Sequence, residues 1–437
     1  MKHWGQLDID ERGHLRLGGC DALELAERFG TPLYVMEEDV IRRVCRSYTS
    51  ALAGYRGGGL ILFASKAFMT TAMCKIVASE GLGLDVVSGG ELYVAMNAGF
   101  DMSKVYLHGN NKTPEDLRMA VDAGVGRVVI DSMNEIGLLA GIAKEKGRVQ
   151  PVSVRVKPGI EAHTHEYIKT GQEDSKFGFG IGDGQALQAI REILRYDSLE
   201  LVGLHCHIGS QIFEVEPFRE TVDVMFDFMQ DIKAQIGFAF REINFGGGFG
   251  IHYTADDKPL EPHVYVKEML DELTTLCDER GMEPPAFVIE PGRSIVGEAG
   301  TTLYTIGDIK TIPGVRTYVS MDGSMADNPR PALYQAQYTC ALAGRMNEPD
   351  EMVVSIAGRA CESGDMLIWN AALPKARPGD ILAVFSTGAY NYSMASNYNK
   401  LPHPAVVLVK DGRAALMVKR QSYEDLVRND CIPEWLK

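Results

Sequence analysis

Short apolar runs recur along the chain from about residue 60. Each is followed by a glycine-rich or polar turn and then by a longer stretch rich in Ala, Leu, Met and charged residues. In two of the longer stretches, 120–124 and 217–234, apolar residues recur at a spacing of three or four, which is typical of an amphipathic helix. The short runs are almost continuously apolar, as strands buried on both faces are. The pattern therefore predicts an α/β fold, with a parallel sheet covered by helices.

Eight such runs precede residue 300, and eight β–α units favour a closed barrel. The runs are LILFASK (60–66), LGLDVVS (82–88), VYLHGN (105–110), RVVIDS (127–132), VSVRVKPG (152–159), LVGLHCHIG (201–209), EINFGGG (242–248) and AFVIEPGR (286–293). We therefore expect a (β/α)8 barrel of the TIM type.

The active site of such a barrel lies at the C-terminal ends of its strands. Here those ends carry reactive or glycine-rich residues, namely Lys66, Asp85, Ser88, His108, Arg155, His205, Gly246–Gly248, Glu290 and Arg293. The interval between the fifth and sixth runs is longer than the others and holds the polar stretch THEYIKTGQEDSKFGFG (164–180). We expect this stretch to form a lid over the barrel mouth.

The sequence pattern changes after about residue 304, where strand-like runs follow one another with few helical stretches between them. Those runs are TLYTIGDIKTI, RTYVSMD, EMVVSIAG, DILAVFSTG and AVVLVKDGRAALMVKR. They predict a second, mainly antiparallel β domain. TPLYVMEED, near residue 35, also predicts a strand, which we expect to join this domain. The expected division is a barrel over 38–303 and a β domain formed by 1–37 and 304–437.

Composition and charge narrow the choice of partners and compartment. Of the 437 residues, 45% are apolar and 24% charged, as in soluble globular proteins. The net charge is −15 and no basic run is present, so nucleic acid and anionic membranes are poor candidate partners. The eight cysteines lack CxxC spacing, which disfavours a zinc site or a disulfide framework. With no signal-peptide or membrane-spanning pattern, we expect a cytoplasmic protein.

Lys66, at the end of the strand in FASKAF, is the first candidate for catalysis. A lysine withdrawn from water has a lowered pKa, as amine nucleophiles and Schiff-base lysines require. The alternative is a lysine whose amine reaches solvent from the strand end.

Three other barrel motifs could contact a ligand. The successive glycines of GGGFG (246–250) could aim backbone N–H groups at one anion, or simply form a tight turn. In EPGR, Glu290 could hold a heteroaromatic nitrogen protonated and Arg293 could grip a carboxylate, or the two could pair with each other. In HCHIG, His205 and His207 would share a face of the strand, where a ring stacked on a flat ligand or a packed histidine is favoured over a metal ligand.

The β domain adds three motifs, each of which could also be ordinary surface or packing. DNPRPALY places Arg330 and Tyr334 in a turn-rich stretch, CESGD places Cys361 beside Glu362, and GAYNYSMAS places Tyr390 after a turn.

Taken together, these motifs resemble the diaminopimelate decarboxylase family over almost the whole chain. This family pairs an alanine-racemase-like barrel, which binds pyridoxal 5'-phosphate (PLP), with a C-terminal β domain. The resemblance is carried by FASKAF, GLDVVSGGEL, HGNNKT, AHTHEYIKTGQEDSKFGFG, GLHCHIGSQI, NFGGGFGI, EPGRSIVGEAG, MADNPRPALY, CESGD and GAYNYSMASNYN. Phe68 departs from it, because relatives commonly carry Asn at this position.

The resemblance implies roles for individual residues. Lys66 would bind PLP as a Schiff base, and Cys361 would donate a proton to the product. The other residues implied to contact the cofactor are Asp85, His205 stacked on the ring, Ser210, Gly247, Gly248, Glu290 at the pyridinium nitrogen, Pro291, Gly292, Arg293 and Tyr390. Those implied to contact the substrate are Arg293, Arg330, Tyr334, Glu362 and Tyr390. No metal is implied.

The resemblance also implies an activity and an assembly. The activity is decarboxylation of meso-2,6-diaminopimelate to L-lysine and carbon dioxide, the last step of lysine synthesis. The assembly is a homodimer in which Cys361 and Glu362 complete the site of the other subunit. Two alternatives stay open at this point: a sister decarboxylase acting on ornithine, arginine or carboxynorspermidine, and a catalytically silent relative that only binds PLP.

Overall fold

The computed structural model describes residues 7–160 and 175–437, so most of the expected lid, 164–180, lies outside the described residues. Within the described part, one compact unit comprises 42–160, 175–251 and 258–295, and the other comprises 7–41, 252–257 and 296–437.

The strands of the described chain are β1 (Asp8–Ile9), β2 (Leu15–Leu17), β3 (Cys20–Asp21), β4 (Leu33–Glu37), β5 (Gly59–Ala64), β6 (Gly83–Val86), β7 (Val105–Leu107), β8 (Arg127–Ile130), β9 (Gln150–Lys157), β10 (Phe179–Gly180), β11 (Leu199–His205), β12 (Glu242–Asn244), β13 (Ala286–Ile289), β14 (Gly300–Ile312), β15 (Arg316–Met321), β16 (Cys340–Leu342), β17 (Met352–Ala357), β18 (Met366–Leu373), β19 (Ile381–Val384), β20 (Ala405–Lys410) and β21 (Arg413–Val418).

The α-helices are α1 (Ala22–Phe29), α2 (Glu38–Leu52), α3 (Thr71–Ser79), α4 (Gly89–Asn97), α5 (Pro114–Ala123), α6 (Met133–Glu145), α7 (Gln185–Ile193), α8 (Glu216–Ile236), α9 (Pro262–Glu279), α10 (Arg293–Val296), α11 (Arg330–Tyr334) and α12 (Tyr423–Val427). Among the described residues, no helix is long and apolar enough to cross a membrane.

The first unit is the predicted closed barrel. Its eight parallel strands follow the order β5-β6-β7-β8-β9-β11-β12-β13, and β13 pairs with β5 to close the ring, with Phe287 opposite Gly59. All eight predicted runs are strands, and helices α3 to α9 alternate with them. The short strand β10 lies parallel to β9. The predicted helix at 217–234 is confirmed as part of α8, and the stretch 120–124 covers the end of α5 and its C-cap Gly124.

Local sequence sets where the barrel helices begin and end, and so where each strand-end loop turns. Thr113 caps α5 in a reciprocal capping box with Asp116, Pro114 opens the helix, and Gly124 ends it with a left-handed φ of 72°. This cap fixes the end of the HGNNKT loop, which follows β7 at the C-terminal end of the barrel.

The second unit is the predicted β domain, and its main sheet runs β18-β17-β15-β14-β4-β20-β21. Strand β4 lies between β14 and β20, so TPLYVMEED joins this domain as expected. Most pairs are antiparallel, whereas β4–β20 and β15–β17 are parallel. Strands β1 to β3, which form a small three-stranded sheet, and strands β16 and β18 were not predicted. The buried core of the unit includes Leu33, Val35, Leu303 and Val407.

A buried ion pair joins two strand-end loops of the barrel. The Nζ atom of Lys112, which follows β7, lies 2.7 Å from Oε1 of Glu135 in α6, and the two side chains are 1% and 7% exposed. Lys112 Nζ also donates to the carbonyls of Gly109 and Val129, at 2.8 and 2.7 Å. The second Glu135 oxygen accepts the N–H of Asp131 at 2.9 Å. The pair therefore holds the loops after β7 and β8 together.

Replacing Lys112 with Met is expected to destabilise the protein by about 3 kcal/mol, because the Glu135 carboxylate would remain buried without its cation. The free energy of unfolding in urea measures this. Lys267 is the matched control, since it pairs with Asp271 on the surface at 67% and 62% exposure. Lys267→Met should cost less than about 1 kcal/mol. Equal losses in the two variants would contradict the structural role of the buried pair.

Candidate active site

The C-terminal ends of the barrel strands bring together side chains that are far apart in sequence. Asp85 lies within β6, His108 directly follows β7, His205 ends β11 and Glu290 directly follows β13. All four are buried. Because the strands are parallel and closed into a ring, their C-terminal ends face one end of the barrel.

Glu290 is the centre of this group. Its Oε1 lies 2.8 Å from Nε2 of His108 and accepts a hydrogen bond of 2.6 Å from Nδ2 of Asn244. Its Oε2 lies 3.2 Å from Nε2 of His205. The two imidazole rings meet edge to face, with centroids 4.7 Å apart. Asp85 Oδ1 lies 3.7 Å from His108 Nε2. One buried carboxylate is therefore enclosed by two histidines and an amide.

Electrostatics keep this carboxylate ionised. Burial alone would raise the pKa of Glu290, but His108 and His205 hold it well below its ordinary value. Burial would lower the pKa of His108, yet the charges of Glu290 and Asp85 outweigh it and raise that pKa. For His205 burial prevails and lowers the pKa to about 4, so this imidazole is neutral near pH 7. Burial raises the pKa of Asp85.

The glycines of GGGFG are required by close backbone approach. Gly246 and Gly248 have φ values of 69° and 115°, which favour glycine. A Cβ on Gly248 would lie 2.7 Å from the Gly209 carbonyl, and one on Gly247 would collide with the Glu290 carbonyl. The sequence suggested that the backbone N–H groups of these glycines could all point at one anion, but two of them are already hydrogen-bonded within the protein. Those of Gly246 and Gly247 donate to Asn244 Oδ1 and His207 Nδ1, at 2.9 and 3.2 Å.

Arg293 and Ser210 meet beside this glycine turn. Arg293 is buried at the start of α10, and its Nη2 donates to the Ser210 hydroxyl at 2.8 Å. Pro291 and Gly292 form the turn between β13 and α10, and the Pro291 carbonyl accepts the N–H of Ala64 at 3.2 Å. A Cβ on Gly292 would come within 2.9 Å of the Ala64 Cβ. The EPGR motif is therefore packed tightly against the end of β5.

Lys66 lies in a short 3-10 turn, Ser65–Ala67, directly after β5. Its side chain is exposed, although the other two residues of the turn are buried, so the expected withdrawal from water is wrong. Its positive charge nevertheless acts on Asp85 and on His207. His207 lies beyond the end of β11, so the idea that it shares a strand face with His205 is also wrong. Phe68 is buried.

In the β unit, Arg330 is buried at the start of α11, a short helix where the sequence indicated only turns. Its Nη1 donates to the Tyr338 hydroxyl at 2.6 Å, and its guanidinium carbon lies 4.6 Å from the ring centre of Tyr253. Burial would lower the pKa of Arg330, but the neighbouring tyrosines raise it. Tyr334, at the end of α11, is half-buried. Arg330 therefore stays cationic in an aromatic setting.

Tyr390 and Cys361 occupy loops of the same unit. Tyr390 is half-buried and has a φ of 64°, which is uncommon for a residue with a side chain. Cys361 and Glu362 are exposed in the loop between β17 and β18. The N–H of Cys361 donates to Oδ1 of Asn399 at 2.7 Å.

Three residues, Asn244 in the barrel and Tyr338 and Asn391 in the β unit, contact candidate residues or their neighbours but were not singled out from the sequence. Asn244 bonds to Glu290, and it was visible in the sequence as a polar residue at a strand end, whereas His108, which also contacts Glu290, was among the strand-end residues named above. Tyr338 and Asn391 were not recognisable. Tyr338 bonds to Asn391 at 3.3 Å, and Asn391 is buried and bonds to the Thr387 carbonyl at 3.0 Å. Their importance arises only from the tertiary fold.

The barrel end suits a flat ring that carries a basic nitrogen. An ionised, buried carboxylate can hold such a nitrogen protonated, and a neutral imidazole can lie beside the ring. His205 Nδ1 is buried and has no hydrogen-bond partner among the described residues. The ligand atoms of His108, His205 and Glu290 lie within 4.8 Å of one another, which would also allow a metal ion. However, Oε1 of Glu290 already accepts the N–H of Asn244 at 2.6 Å, which disfavours a metal ion at this oxygen.

Comparison with known proteins agrees with this geometry. Residues 38–297 match the family described as the pyridoxal binding domain of pyridoxal-dependent decarboxylases. The diaminopimelate decarboxylase of Bacillus subtilis is 50% identical over 421 residues, covering 96% of each chain. That of Synechocystis is 44% identical over 98% of this chain and 92% of its own. The crystal structure of diaminopimelate decarboxylase from M. jannaschii in complex with L-lysine is 36% identical, covers 99% of both chains and superposes with a TM-score of 0.91.

The matches cover nearly the whole chain at up to 50% sequence identity, and they show that the chain belongs to the family of pyridoxal-dependent decarboxylases.

Proposed function

We propose that this chain decarboxylates meso-2,6-diaminopimelate to L-lysine and carbon dioxide, the last step of lysine synthesis, with PLP as its cofactor. The observation that carries the proposal is the buried, ionised Glu290 at the end of a barrel from a pyridoxal-binding family. The near full-length similarity to diaminopimelate decarboxylases supports this substrate.

The residues present fit PLP. Lys66 offers an accessible amine at the end of β5 for the covalent bond to the cofactor. The turns at 246–248 and 291–293, with Ser210 and Arg293, form the tightly packed wall where its phosphate would bind, and Tyr390 would add a contact. Asp85 and His205 would flank the ring. Bound PLP supplies an electron sink for the bonding electrons that the departing carbon dioxide leaves behind.

Glu290 tunes that chemistry. Because His108 and His205 hold its pKa low, its carboxylate remains charged and would keep a proton on the ring nitrogen of bound PLP. His205 remains neutral and adds no competing positive charge beside that nitrogen. The barrel would thus offer the Glu290 carboxylate, which also contacts His108, to a protonated ring nitrogen.

The β unit supplies the groups for substrate recognition and protonation. Arg330, buried and cationic, would bind the distal carboxylate with support from Tyr334, and Glu362 would bind the distal amine. A substrate without the distal carboxylate would leave the Arg330 charge unpaired, and losing such a contact costs about 2 to 5 kcal/mol. Cys361 would donate the proton to the substrate carbon that has lost its carboxylate, and the Lys66 amine would release the product.

Carbon dioxide release from a panel of substrates tests the proposed substrate. The panel comprises meso-diaminopimelate, its LL isomer, lysine, ornithine and arginine, each at matched concentration with PLP-loaded protein. We expect release from the meso isomer alone. Faster release from ornithine or arginine would contradict the assignment in favour of a sister decarboxylase, and no release from any of them would indicate a silent relative.

We further propose that the enzyme is a homodimer with shared active sites, in which Cys361 and Glu362 of one subunit complete the site of the other. Their exposure at the surface of the β unit supports this, since neither side chain is buried within its own chain. The eight free cysteines fit action in a reducing compartment such as the cytoplasm.

Mixing two inactive variants tests the shared site. Cys361→Ala should retain the visible absorbance of lysine-bound PLP but lose most activity, whereas Lys66→Ala should lose that absorbance. Mixed under conditions of subunit exchange, the two should regain up to about a quarter of wild-type activity, because half of the dimers are mixed and each has one intact site. Absence of recovery, with exchange demonstrated by differently tagged subunits, would place each site within a single chain.

A further inference from the structure

The loop that carries Cys361 is built around one buried carboxylate. This segment, residues 358–365 between β17 and β18, is here called the Cys361 loop. Cys361, Glu362, Ser363 and Gly364 are exposed, whereas Asp365 at its end is only 5% exposed. An acidic residue is rarely buried unless its oxygens are fully used. Asp365 is therefore the point at which the loop is fixed to the β unit.

Both Asp365 oxygens accept backbone N–H groups. Oδ2 accepts from Ala360, the residue before Cys361, at 2.8 Å. Oδ1 accepts from Met325 at 2.6 Å. Within the loop, the Asp365 carbonyl also accepts the N–H of Gly358 at 2.9 Å. A carboxylate that binds two N–H groups fixes both of them in direction, and here one lies next to the thiol-bearing residue.

Gly358 permits this arrangement. The Asp365 carboxylate packs so closely on its α-carbon that a Cβ would collide with both carboxylate oxygens. Any larger residue at 358 would push the carboxylate away from Ala360. The glycine and the aspartate therefore form one unit at the base of the loop.

The second partner, Met325, connects the loop to the substrate-binding arginine. Met325 lies in the segment 322–329, five residues before Arg330. Asp327 stabilises this segment, because its carboxylate accepts hydrogen bonds from the Ser324 N–H and the Tyr304 hydroxyl, both at 2.8 Å. The Arg359 N–H donates to the carbonyl of Gly323 in the same segment, at 2.9 Å. The Cys361 loop and the segment leading to Arg330 are thus held to one another by Asp365 and Arg359.

We propose that Asp365 is a positioning residue for catalysis, which sets the placement of the Cys361 thiol through the N–H groups of Ala360 and Met325. The inference rests on the proposed function, in which Cys361 donates the proton. Asn399, which accepts the Cys361 N–H, is a second anchor, but it is exposed and so holds the loop less firmly.

The first test compares turnover of Asp365→Asn and Asp365→Ala in the PLP-loaded enzyme. Asn keeps the size of Asp but loses one acceptor, so we expect kcat to fall at least about tenfold for Asn and further for Ala. The visible absorbance of the bound cofactor should not change in either. Asp21 is the matched control, since it is buried in the same unit and accepts the Leu23 N–H at 2.8 Å far along the chain from the loop. Asp21→Asn should leave kcat unchanged.

The second test asks whether Asp365 acts through Cys361. In a Cys361→Ala background, Asp365→Asn should lower the residual kcat less than twofold, because the group it positions is already absent. A defect that multiplies with that of Cys361→Ala would overturn the proposal in favour of general structural damage. Unchanged kcat in both Asp365 variants would also overturn it.

Subunit mixing separates this inference from the proposed function. Asp365→Ala mixed with Lys66→Ala should regain activity as Cys361→Ala does, because the intact Lys66 site then uses an undisturbed Cys361 loop. Recovery with Cys361→Ala but not with Asp365→Ala would refute the role of Asp365 and leave the shared site standing. Full activity of Cys361→Ala alone would refute both.

Discussion

The contact between the Glu290 carboxylate and the imidazoles of His108 and His205 is the interaction on which the rest of the barrel site depends. A lone carboxylate in this position would take up a proton, because burial disfavours its charge. The two histidines reverse that preference and hold the pKa of Glu290 well below its ordinary value, and Asn244 donates a hydrogen bond to the same carboxylate. These four residues come from β7, β11, β12 and β13 or the residue after them, so only a closed ring of strands can bring them together.

The close packing of the strand ends follows from the same need. Gly247 lies against the Glu290 carbonyl and Gly292 against Ala64, so the turn that carries Glu290 sits between neighbouring strand ends without side chains to separate them. The N–H of Glu290 in turn donates to the Gly246 carbonyl at 2.6 Å. Glycine at these positions keeps the carboxylate in reach of both imidazoles. The glycines of the GGGFG and EPGR motifs thus have a structural use at the point where the charge is held.

Much of this could be predicted from the sequence, because strand periodicity and strand-end polarity are local signals. All eight barrel strands and the joining of β4 to the second sheet were predicted in this way. Strand β16 has only three residues, and the sequence of β18, MLIWNAAL, has apolar residues in succession, so neither shows a clear alternating pattern. The exposure of Lys66, the engagement of the Gly246 and Gly247 N–H groups, and the bonds of Asp365 depend on tertiary contacts that no local pattern encodes.

The most direct test of this account is the protonation state of the cofactor ring nitrogen, measured by nitrogen-15 NMR on protein loaded with PLP labelled at that atom. With Glu290 ionised beside it, the nitrogen should carry a proton throughout the neutral pH range. In Glu290→Gln, which preserves size but removes the charge, that proton should be lost while the cofactor stays bound. An unprotonated ring nitrogen in the wild-type enzyme, or an unchanged signal in the Gln variant, would contradict the central role of Glu290.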